Sequence, residues 1–266
     1  MSSGVTDHET GSPASSLPER LRLYAELVQN VVWEVELLEQ IEQQHLRRAV
    51  AVFREDFAGG AALADAWARS RPATQVLAVE RDPATAAWAA AATAGLSNLT
   101  VVTADVIDLS RHSTPEADLV HAGNFSVCGF HEPADVEAYF RSVGRTLKPG
   151  GVWVGSMYGG PDAWSVGRRT RASAFGRVVW EQRWVDRAAR RTRCGLHLEA
   201  DGVRYVDAFT YDWRLWTPKE LAKIAERAGL VRVGLMIATD DAPGLRECLD
   251  APDARDWQGY LILTRR

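Results

Sequence analysis

The candidate ligand-binding residues of this sequence lie at the ends of short apolar runs. Gly59 and Gly60 follow one such run, and acids end the next two runs at Glu80 and Asp105. Adjacent glycines let the backbone turn tightly and let a ligand approach the main chain. A carboxylate about twenty residues after such a turn is placed to accept hydrogen bonds from both hydroxyls of a ribose. Asp105 is suited to accept a hydrogen bond from an adenine amino group, so the set predicts a nucleoside site.

The elements that must position these residues are strands that alternate with helices. This pattern predicts parallel βαβ units whose sheet is covered by helices on both faces. The carboxyl ends of such strands share one edge, where ligands bind. The predicted strands are residues 49–53, 75–80, 99–105, 117–123 and 151–158, and the helices between them are residues 61–70, 83–94 and 132–147.

The chain divides into five predicted segments. Residues 1–17 are rich in Ser, Gly and Pro, and we expect a disordered tail. Residues 18–48 show apolar residues at helical spacing, including Val32 and Val35, which predicts one or two amphipathic helices. The core of residues 49–158 is followed by a β-rich insertion at 159–216, and residues 217–266 return to the core with a helix and two strands.

Composition excludes several classes of protein. The 266 residues carry a net charge of −4 and are 46% hydrophobic, which allows a sizeable core and argues against a general polyanion binder. The three cysteines are widely spaced, so neither a disulfide framework nor a zinc site is expected. The sequence shows no signal peptide and no run long enough to span a bilayer. We therefore expect a cytoplasmic protein with no bound metal and no membrane contact.

In their order along the chain, these motifs resemble the class I S-adenosylmethionine-dependent methyltransferases. The resemblance covers residues 49–158, where "LKPGG" precedes the fifth strand, and it resumes at Thr217. It implies S-adenosylmethionine as the cofactor. It also implies a Rossmann-like α/β fold, a mixed sheet of seven strands whose last strand is antiparallel, with helices on both faces. An N-terminal helical extension and an antiparallel β lid insertion would complete it.

The first loop departs from the common motif of that family. Glu55 matches the acid of the motif and Gly59 its central glycine, but Phe57 and Ala61 stand where its first and last glycines occur. The sequence of this loop resembles that of a branch of the family in which the loop reads R-x-D-F-x-G. By position, the predicted cofactor-binding residues are Tyr24, Arg54, Glu55, Phe57, Gly59, Glu80, Arg81, Asp105, Val106, Asn124 and Phe125.

Three of these residues carry more specific predictions. Arg54 is placed to pair with the methionine carboxylate, and Phe125 to pack against adenine. Asn124 falls where members of the family contact the substrate or the methionine portion. No prolines follow Asn124, so the pattern of enzymes that methylate amino groups of nucleic-acid bases is absent.

The insertion is rich in aromatic residues and arginines. Aromatic faces attract sulfonium and ammonium groups, although ordinary packing of a small sheet is the commoner explanation for any one such ring. The nine arginines of residues 168–193 indicate either a solvated face or contact with an anion such as RNA. The predicted substrate-binding residues are Trp180, Trp184, Trp213 and Trp216.

The candidate general bases are His131 and, less directly, Tyr158, Asp207 and Tyr211. Methyl transfer depends mainly on positioning and on removing a proton from the nucleophile. An amine or a stabilised carbanion needs no strong base. The sequence therefore leaves O, N, C and S acceptors open.

The leading hypothesis is methyl transfer to a small molecule of specialised metabolism by a monomer or homodimer. A cyclase or lyase that attacks S-adenosylmethionine intramolecularly and releases methylthioadenosine is the first alternative. An RNA methyltransferase, resting on the arginines, is another, although the net charge makes a nucleic-acid partner unfavoured. A non-catalytic binding module and a nicotinamide-dependent oxidoreductase are disfavoured by the ribose acid and by the lack of G-x-G-x-x-G.

Overall fold

The computed structural model describes residues 16–46, 48–239 and 242–266. The predicted disordered tail, residues 1–17, lies outside this range except for its last two residues. No helix in the described part of the chain is long and apolar enough to cross a bilayer. The helices are α1 (Leu17–Leu27), α2 (Val31–His45), α3 (Ala62–Ser70), α4 (Pro83–Ala92), α5 (Pro133–Thr146) and α6 (Pro218–Arg227).

Twelve strands of the described residues form two sheets. In chain order they are β1 (Val52–Asp56), β2 (Gln75–Glu80), β3 (Leu99–Thr103), β4 (Ala117–Ala122), β5 (Leu147–Gly159), β6 (Gly167–Ser173), β7 (Gly176–Asp186), β8 (Arg191–Ala200), β9 (Val203–Arg214), β10 (Leu230–Thr239), β11 (Ala242–Glu247) and β12 (Trp257–Arg265).

The first sheet has the order β11-β10-β12-β5-β4-β1-β2-β3. Strands β1 to β5 pair in parallel, and β12 is antiparallel to both of its neighbours, β5 and β10. The predicted Rossmann-like mixed sheet with an antiparallel last strand is thus confirmed, and β11 adds an eighth strand at one edge. Strand β1 pairs in parallel with β2 on one side and β4 on the other, so the order in which strands are added to the sheet reverses at β1. A switch point of this kind opens a crevice at the carboxyl ends of the strands.

Both faces of this sheet are covered, as the apolar runs predict. On one face Phe53 stacks on Trp67 of α3, with ring centroids 4.7 Å apart. On the other face Trp153 packs edge-on against Phe140 of α5, at 5.1 Å. The alternation of side chains along each strand therefore sends successive residues of β1 into two different helical layers.

The second sheet is an antiparallel meander, β6-β7-β8-β9, which we call the lid sheet. Its apolar face packs on α1, where Leu23 and Leu27 join a buried cluster with Leu196 and Leu198. Polar contacts fasten the same helix to the sheet. The Tyr205 hydroxyl donates to Glu19 at 2.6 Å, Arg20 donates to the Ala208 carbonyl at 3.2 Å, and Arg171 donates to the Leu27 carbonyl at 2.6 Å.

Candidate active site

The loop after β1 is tied to the acid that ends β2. The backbone N–H of Gly59 donates to Oε2 of Glu80 at 3.0 Å, and Oε1 of Glu80 accepts from the N–H of Asp82 at 2.8 Å. Gly59 has φ +53°, and a Cβ built there would meet no heavy atom within 4 Å. The loop therefore presents open space and a fixed carboxylate side by side.

Four residues without glycine's freedom adopt left-handed backbone conformations around this loop. Phe57 and Ala61 both have φ 58°, so they take the conformation that favours the glycines they replace. Asn124 and Phe125, which follow β4, have φ 51° and 58°. Each such residue costs roughly 1 kcal/mol or more, and this kind of strain clusters at binding sites.

A cavity of about 190 Å³ opens between the ends of β2 and β3, and we call it the β2–β3 cavity. Glu80 and Asp105 both lie on its wall. One oxygen of Asp105 accepts the N–H of Ile107 at 2.9 Å, which orients the carboxylate. Phe57, Arg81 and Val106, which were also predicted, lie on its wall. Ser126 and Phe130, which were not predicted, also line it.

A second cavity, of about 200 Å³, lies over the glycines of the first loop, and we call it the glycine cavity. It shares Phe57 and Ser126 with the β2–β3 cavity, so the two are contiguous. Its far wall comes from α1 and the lid sheet. The lining residues include Leu21, Tyr24, Gln29, Gly59, Gly60, Asn124, Phe209, Tyr211 and Trp213.

The lid cavity, of about 250 Å³, continues from the glycine cavity beneath the lid sheet. The two share Tyr24, Asn124, Tyr211 and Trp213, and Trp180 closes the far side. The three cavities thus adjoin one another along a path from the acids at the ends of β2 and β3 to an aromatic enclosure. The predicted residues Phe125, Trp180, Trp213 and Tyr211 all meet there.

The two phenols at this junction are weak acids. Burial raises the pKa of Tyr24 to about 12, against a smaller opposing effect of its hydrogen bond with Tyr211. Burial also raises the pKa of Tyr211. Both hydroxyls are therefore neutral near pH 7, and they can orient a ligand but are poor proton acceptors. Tyr211 lines the glycine and lid cavities, and its neutral hydroxyl is ill suited to the predicted role of a general base.

Arg54 does not face any of these cavities. Its guanidinium is buried, pairs with Asp56 through Nε at 2.8 Å and Nη2 at 3.2 Å, and donates to Thr146 at 2.7 Å. The Tyr139 hydroxyl also donates to Asp56, at 2.8 Å. The prediction that Arg54 pairs with a ligand carboxylate is corrected by this placement, because its donors are used inside the protein beneath the loop.

Glu55 points to the opposite face of β1 and lies under the first turn of α3. Its Oε2 accepts the N–H of Ala64 at 2.9 Å. Burial raises the pKa of Glu55 to about 8 despite that hydrogen bond, and the acids Glu34, Asp56 and Glu80 add to the increase. The first-motif acid therefore supports the loop from below.

Glu55→Gln should remove a pH dependence of stability. A carboxyl group whose folded pKa exceeds its ordinary 4.5 favours folding when protonated, so the protein should lose stability as the pH rises from about 4.5 to about 8. Glutamine keeps an oxygen for the Ala64 N–H and cannot ionise. Urea unfolding of the ligand-free protein at pH 5 and pH 8 should show a smaller difference for Glu55→Gln than for the wild type. An unchanged difference would contradict the assignment.

The other predicted bases stand apart from the cavities. His131 lies 2.8 Å from the Asp212 carbonyl through Nε2, beside the base of the lid sheet. Tyr158 is enclosed by Phe125 and Trp213, at centroid distances of 4.8 and 6.0 Å, and burial raises its pKa well above 10. Asp207 pairs with Arg183 on the lid sheet. None of these three lines the path described above.

Two of the four predicted tryptophans also lie elsewhere. Trp184 is 41% exposed, with the Arg193 guanidinium 5.1 Å from its ring. Trp216 is buried in the main core and donates to the Phe130 carbonyl at 3.1 Å. Of the predicted substrate residues, Trp180 and Trp213 are the two that the structure brings together.

The arginines of the lid sheet are largely paired with acids on neighbouring strands. Arg168 reaches Glu181 at 2.6 Å and Arg191 reaches Asp212 at 2.6 Å. Cross-strand pairs of this kind explain an arginine-rich strand without an anionic ligand. This arrangement supports the interpretation of the run as a solvated face.

Sequence reasoning missed several residues that line these cavities, among them Ser126 and Arg171, and it missed the burial of Glu34 on α2. The apolar pattern placed Val32 in the buried stripe of α2, but Val32 is 72% exposed and Glu34 is buried beside Leu37 and Leu38. The signal was available, because an acid at position 34 falls on the same helical face as Leu38 and Ile41.

Comparison with known proteins agrees with this geometry. The family described as "Methyltransferase domain" matches residues 56–155. No curated protein is significantly similar to the chain in sequence.

Solved structures of similar fold are numerous. An S-adenosylmethionine-dependent methyltransferase from Clostridium acetobutylicum has 15% identity and a TM-score of 0.68, with 92% of this chain and 96% of that chain covered. The sugar N-methyltransferase KedS8 from Streptoalloteichus has 17% identity and a TM-score of 0.67, with 100% and 99% covered. The amino pentose methyltransferase CalS10 from Micromonospora echinaspora, solved with S-adenosylmethionine bound, has 16% identity and a TM-score of 0.66, with 92% and 95% covered.

Residues 56–155 therefore match a methyltransferase domain, and the chain has the fold of S-adenosylmethionine-dependent methyltransferases. The residues present fit S-adenosylmethionine as the cofactor. A Cβ at Gly59 would project into open space that a ligand can use. Glu80 and Asp105 line the cavity at the strand ends, and aromatic rings line the neighbouring glycine cavity. A ribose, an adenine and a sulfonium need acceptors and π-faces of these kinds.

Proposed function

We propose that the protein transfers the methyl group of S-adenosylmethionine to a small-molecule acceptor that enters the lid cavity. The observation that carries the proposal is that the three cavities adjoin. The β2–β3 and glycine cavities share Phe57 and Ser126, and the glycine and lid cavities share Tyr24, Asn124, Tyr211 and Trp213. An enclosure of about 250 Å³ holds a compound of the size of a sugar or a small aromatic molecule. Bound there, S-adenosylmethionine supplies an electrophilic methyl group.

The residues of the chain contribute binding, orientation and exclusion of water. Glu80 and Asp105 hold the adenosyl end, and the open turn at Gly59 accepts the amino-acid end. Tyr24 and Tyr211 present neutral hydroxyls where the two ligands meet. The rings of Trp180 and Trp213 cover the reacting centre, so positioning is the main catalytic effect.

Two observations bear on the acceptor. The names of the neighbours, a sugar N-methyltransferase and an amino pentose methyltransferase, support an acceptor of comparable size. The lid arginines pair with acids of the same sheet, which supports a small molecule over RNA. An amine acceptor needs no strong base, which is consistent with the neutral phenols at the junction.

The experiment is to incubate the purified protein with S-adenosylmethionine, first alone and then with a panel of amino sugars, phenols and thiols, and to analyse products by mass spectrometry. We expect S-adenosylhomocysteine only when an acceptor is present. Methylthioadenosine formed without any acceptor would replace this proposal by a cyclase or lyase.

Two matched lid variants test the place of the acceptor. Trp180→Leu should raise the acceptor KM about tenfold and leave the affinity for S-adenosylmethionine unchanged, because Trp180 lines the lid cavity and not the glycine cavity. Trp184→Leu, four residues along the same strand and exposed, should leave both unchanged. Equal effects of the two substitutions would contradict an acceptor under the lid sheet.

A further inference from the structure

A fourth cavity adjoins the lid cavity and has no part in the site described so far. It has a volume of about 510 Å³ and lies between the start of α2 and the ends of β10 and β12, and we call it the α2 cavity. Val28, Asn124, Phe125 and Arg171 line both cavities, so a molecule in one can extend into the other. It is the largest of the four that meet here.

The wall of the α2 cavity carries a buried carboxyl group that lacks a partner. Glu34 is 7% exposed, and its Oε2 has no hydrogen-bond partner. Other buried carboxylates are satisfied, since Asp56 pairs with Arg54 and Asp118 with Arg48. A buried polar group without a partner is costly, and in a native structure it indicates a missing ligand or water.

The surroundings of Glu34 favour a cation. Among the described residues it forms no salt bridge, and Arg171 on the same wall donates to the carbonyls of Leu27 and Val28 instead. The rings of Trp33 and Tyr260 stand together on the cavity wall, with centroids 5.9 Å apart. Aromatic faces beside a carboxylate form the usual enclosure for an ammonium group.

Apart from the Arg171 guanidinium, which is held by the two carbonyls, the titratable groups named here add no positive charge. His121 lies behind Tyr260, with ring centroids 6.3 Å apart, and burial lowers its pKa to about 4. Its imidazole is therefore neutral near pH 7. Burial raises the pKa of the Glu34 carboxyl to about 7, and a cation bound beside it would stabilise the carboxylate form.

We propose that the α2 cavity binds an ammonium group of the acceptor, paired with the Glu34 carboxylate and enclosed by the rings of Trp33 and Tyr260. An ammonium has no lone pair, so the group held here is distinct from the atom that is methylated. The acceptor then spans two cavities, with its nucleophile under the lid sheet and its cation against α2. This inference rests on the proposed function for the identity of the acceptor, but the cation site can be measured without turnover.

The first test uses a matched pair of probes, benzylamine, which is protonated at pH 7, and benzyl alcohol, which is neutral. Binding is followed by NMR at the indole N–H of Trp33, assigned with Trp33→Phe. We expect benzylamine to shift this signal and benzyl alcohol to leave it in place. Glu34→Gln should weaken benzylamine binding about tenfold or more, because it removes one partner of a buried charge pair. Glu36→Gln, an exposed acid on the same helix, should leave it unchanged.

Calorimetry of S-adenosylmethionine binding to the same proteins separates this inference from the proposed function. We expect Glu34→Gln to bind the cofactor as the wild type does. A wild type that binds benzylamine but not S-adenosylmethionine would sink the proposed function and leave the cation site standing. Equal losses of cofactor and benzylamine affinity in Glu34→Gln would overturn the inference, because the carboxylate would then serve the amino group of the cofactor. Equal binding of the two probes to the wild type would overturn it even if Glu34→Gln failed to fold.

Discussion

Replacing Glu80 with glutamine should weaken the binding of S-adenosylmethionine about a hundredfold. Each oxygen of Glu80 accepts one backbone N–H, from Gly59 and Asp82, and keeps a further lone pair for a ribose hydroxyl. Two hydrogen bonds to a charged acceptor contribute about 1.5 kcal/mol each, and glutamine also turns an N–H toward a backbone donor. Isothermal titration calorimetry measures the effect directly.

The control for this variant is Glu132→Gln, which changes an exposed acid without a capping hydrogen bond at the start of α5. It should bind S-adenosylmethionine with wild-type affinity. If Glu80→Gln also binds normally while its melting temperature is unchanged, Glu80 serves only to hold the loop, and the ribose assignment is wrong.

Arg54→Met should destabilise the protein by about 3–5 kcal/mol, because it leaves the buried Asp56 without its cation. A melting temperature lower by about 10 °C is expected for a chain of this size. Differential scanning calorimetry measures it. Arg69→Met, which breaks the exposed i,i+4 pair with Asp65, should cost less than about 1 kcal/mol.

The double variant Arg54→Met, Asp56→Asn decides the cause. Removing both charges leaves no unpaired ion, so much of the lost stability should return. If the double variant is as unstable as Arg54→Met, lost packing rather than the orphaned carboxylate explains the effect.

Much of the first sheet could be predicted because its strands are short apolar runs separated by amphipathic helices. The parallel order of β1, β2 and β3 then brings Gly59, Glu80 and Asp105 to one edge. The surface strand β6 escaped prediction because all seven of its residues are exposed and carry no apolar alternation. Contacts between residues far apart in the sequence could not be predicted either, as with the hydrogen bond from Arg54 to Thr146.

The division of the tryptophans shows why side-chain direction was harder to predict than strand position. Trp180 and Trp184 lie four residues apart, so a regular strand would turn both to the same face. The pairing of β7 with β8 shifts register between Gln182 and Trp184, where two residues of β7 oppose one of β8. This bulge turns Trp184 outward. The sequence contains no turn residue that marks it.

The attachment of α1 to the lid sheet joins the walls of the two cavities that we propose for the cofactor and the acceptor. Tyr24 and Phe209, whose rings lie 5.0 Å apart, both wall the glycine cavity, and Glu19, Arg20 and Leu27 are bonded to the same sheet. Helix and sheet therefore form one cover rather than two independent flaps. Under the proposed function, displacing this cover should open the glycine cavity and the lid cavity together, so cofactor and acceptor would share one entrance.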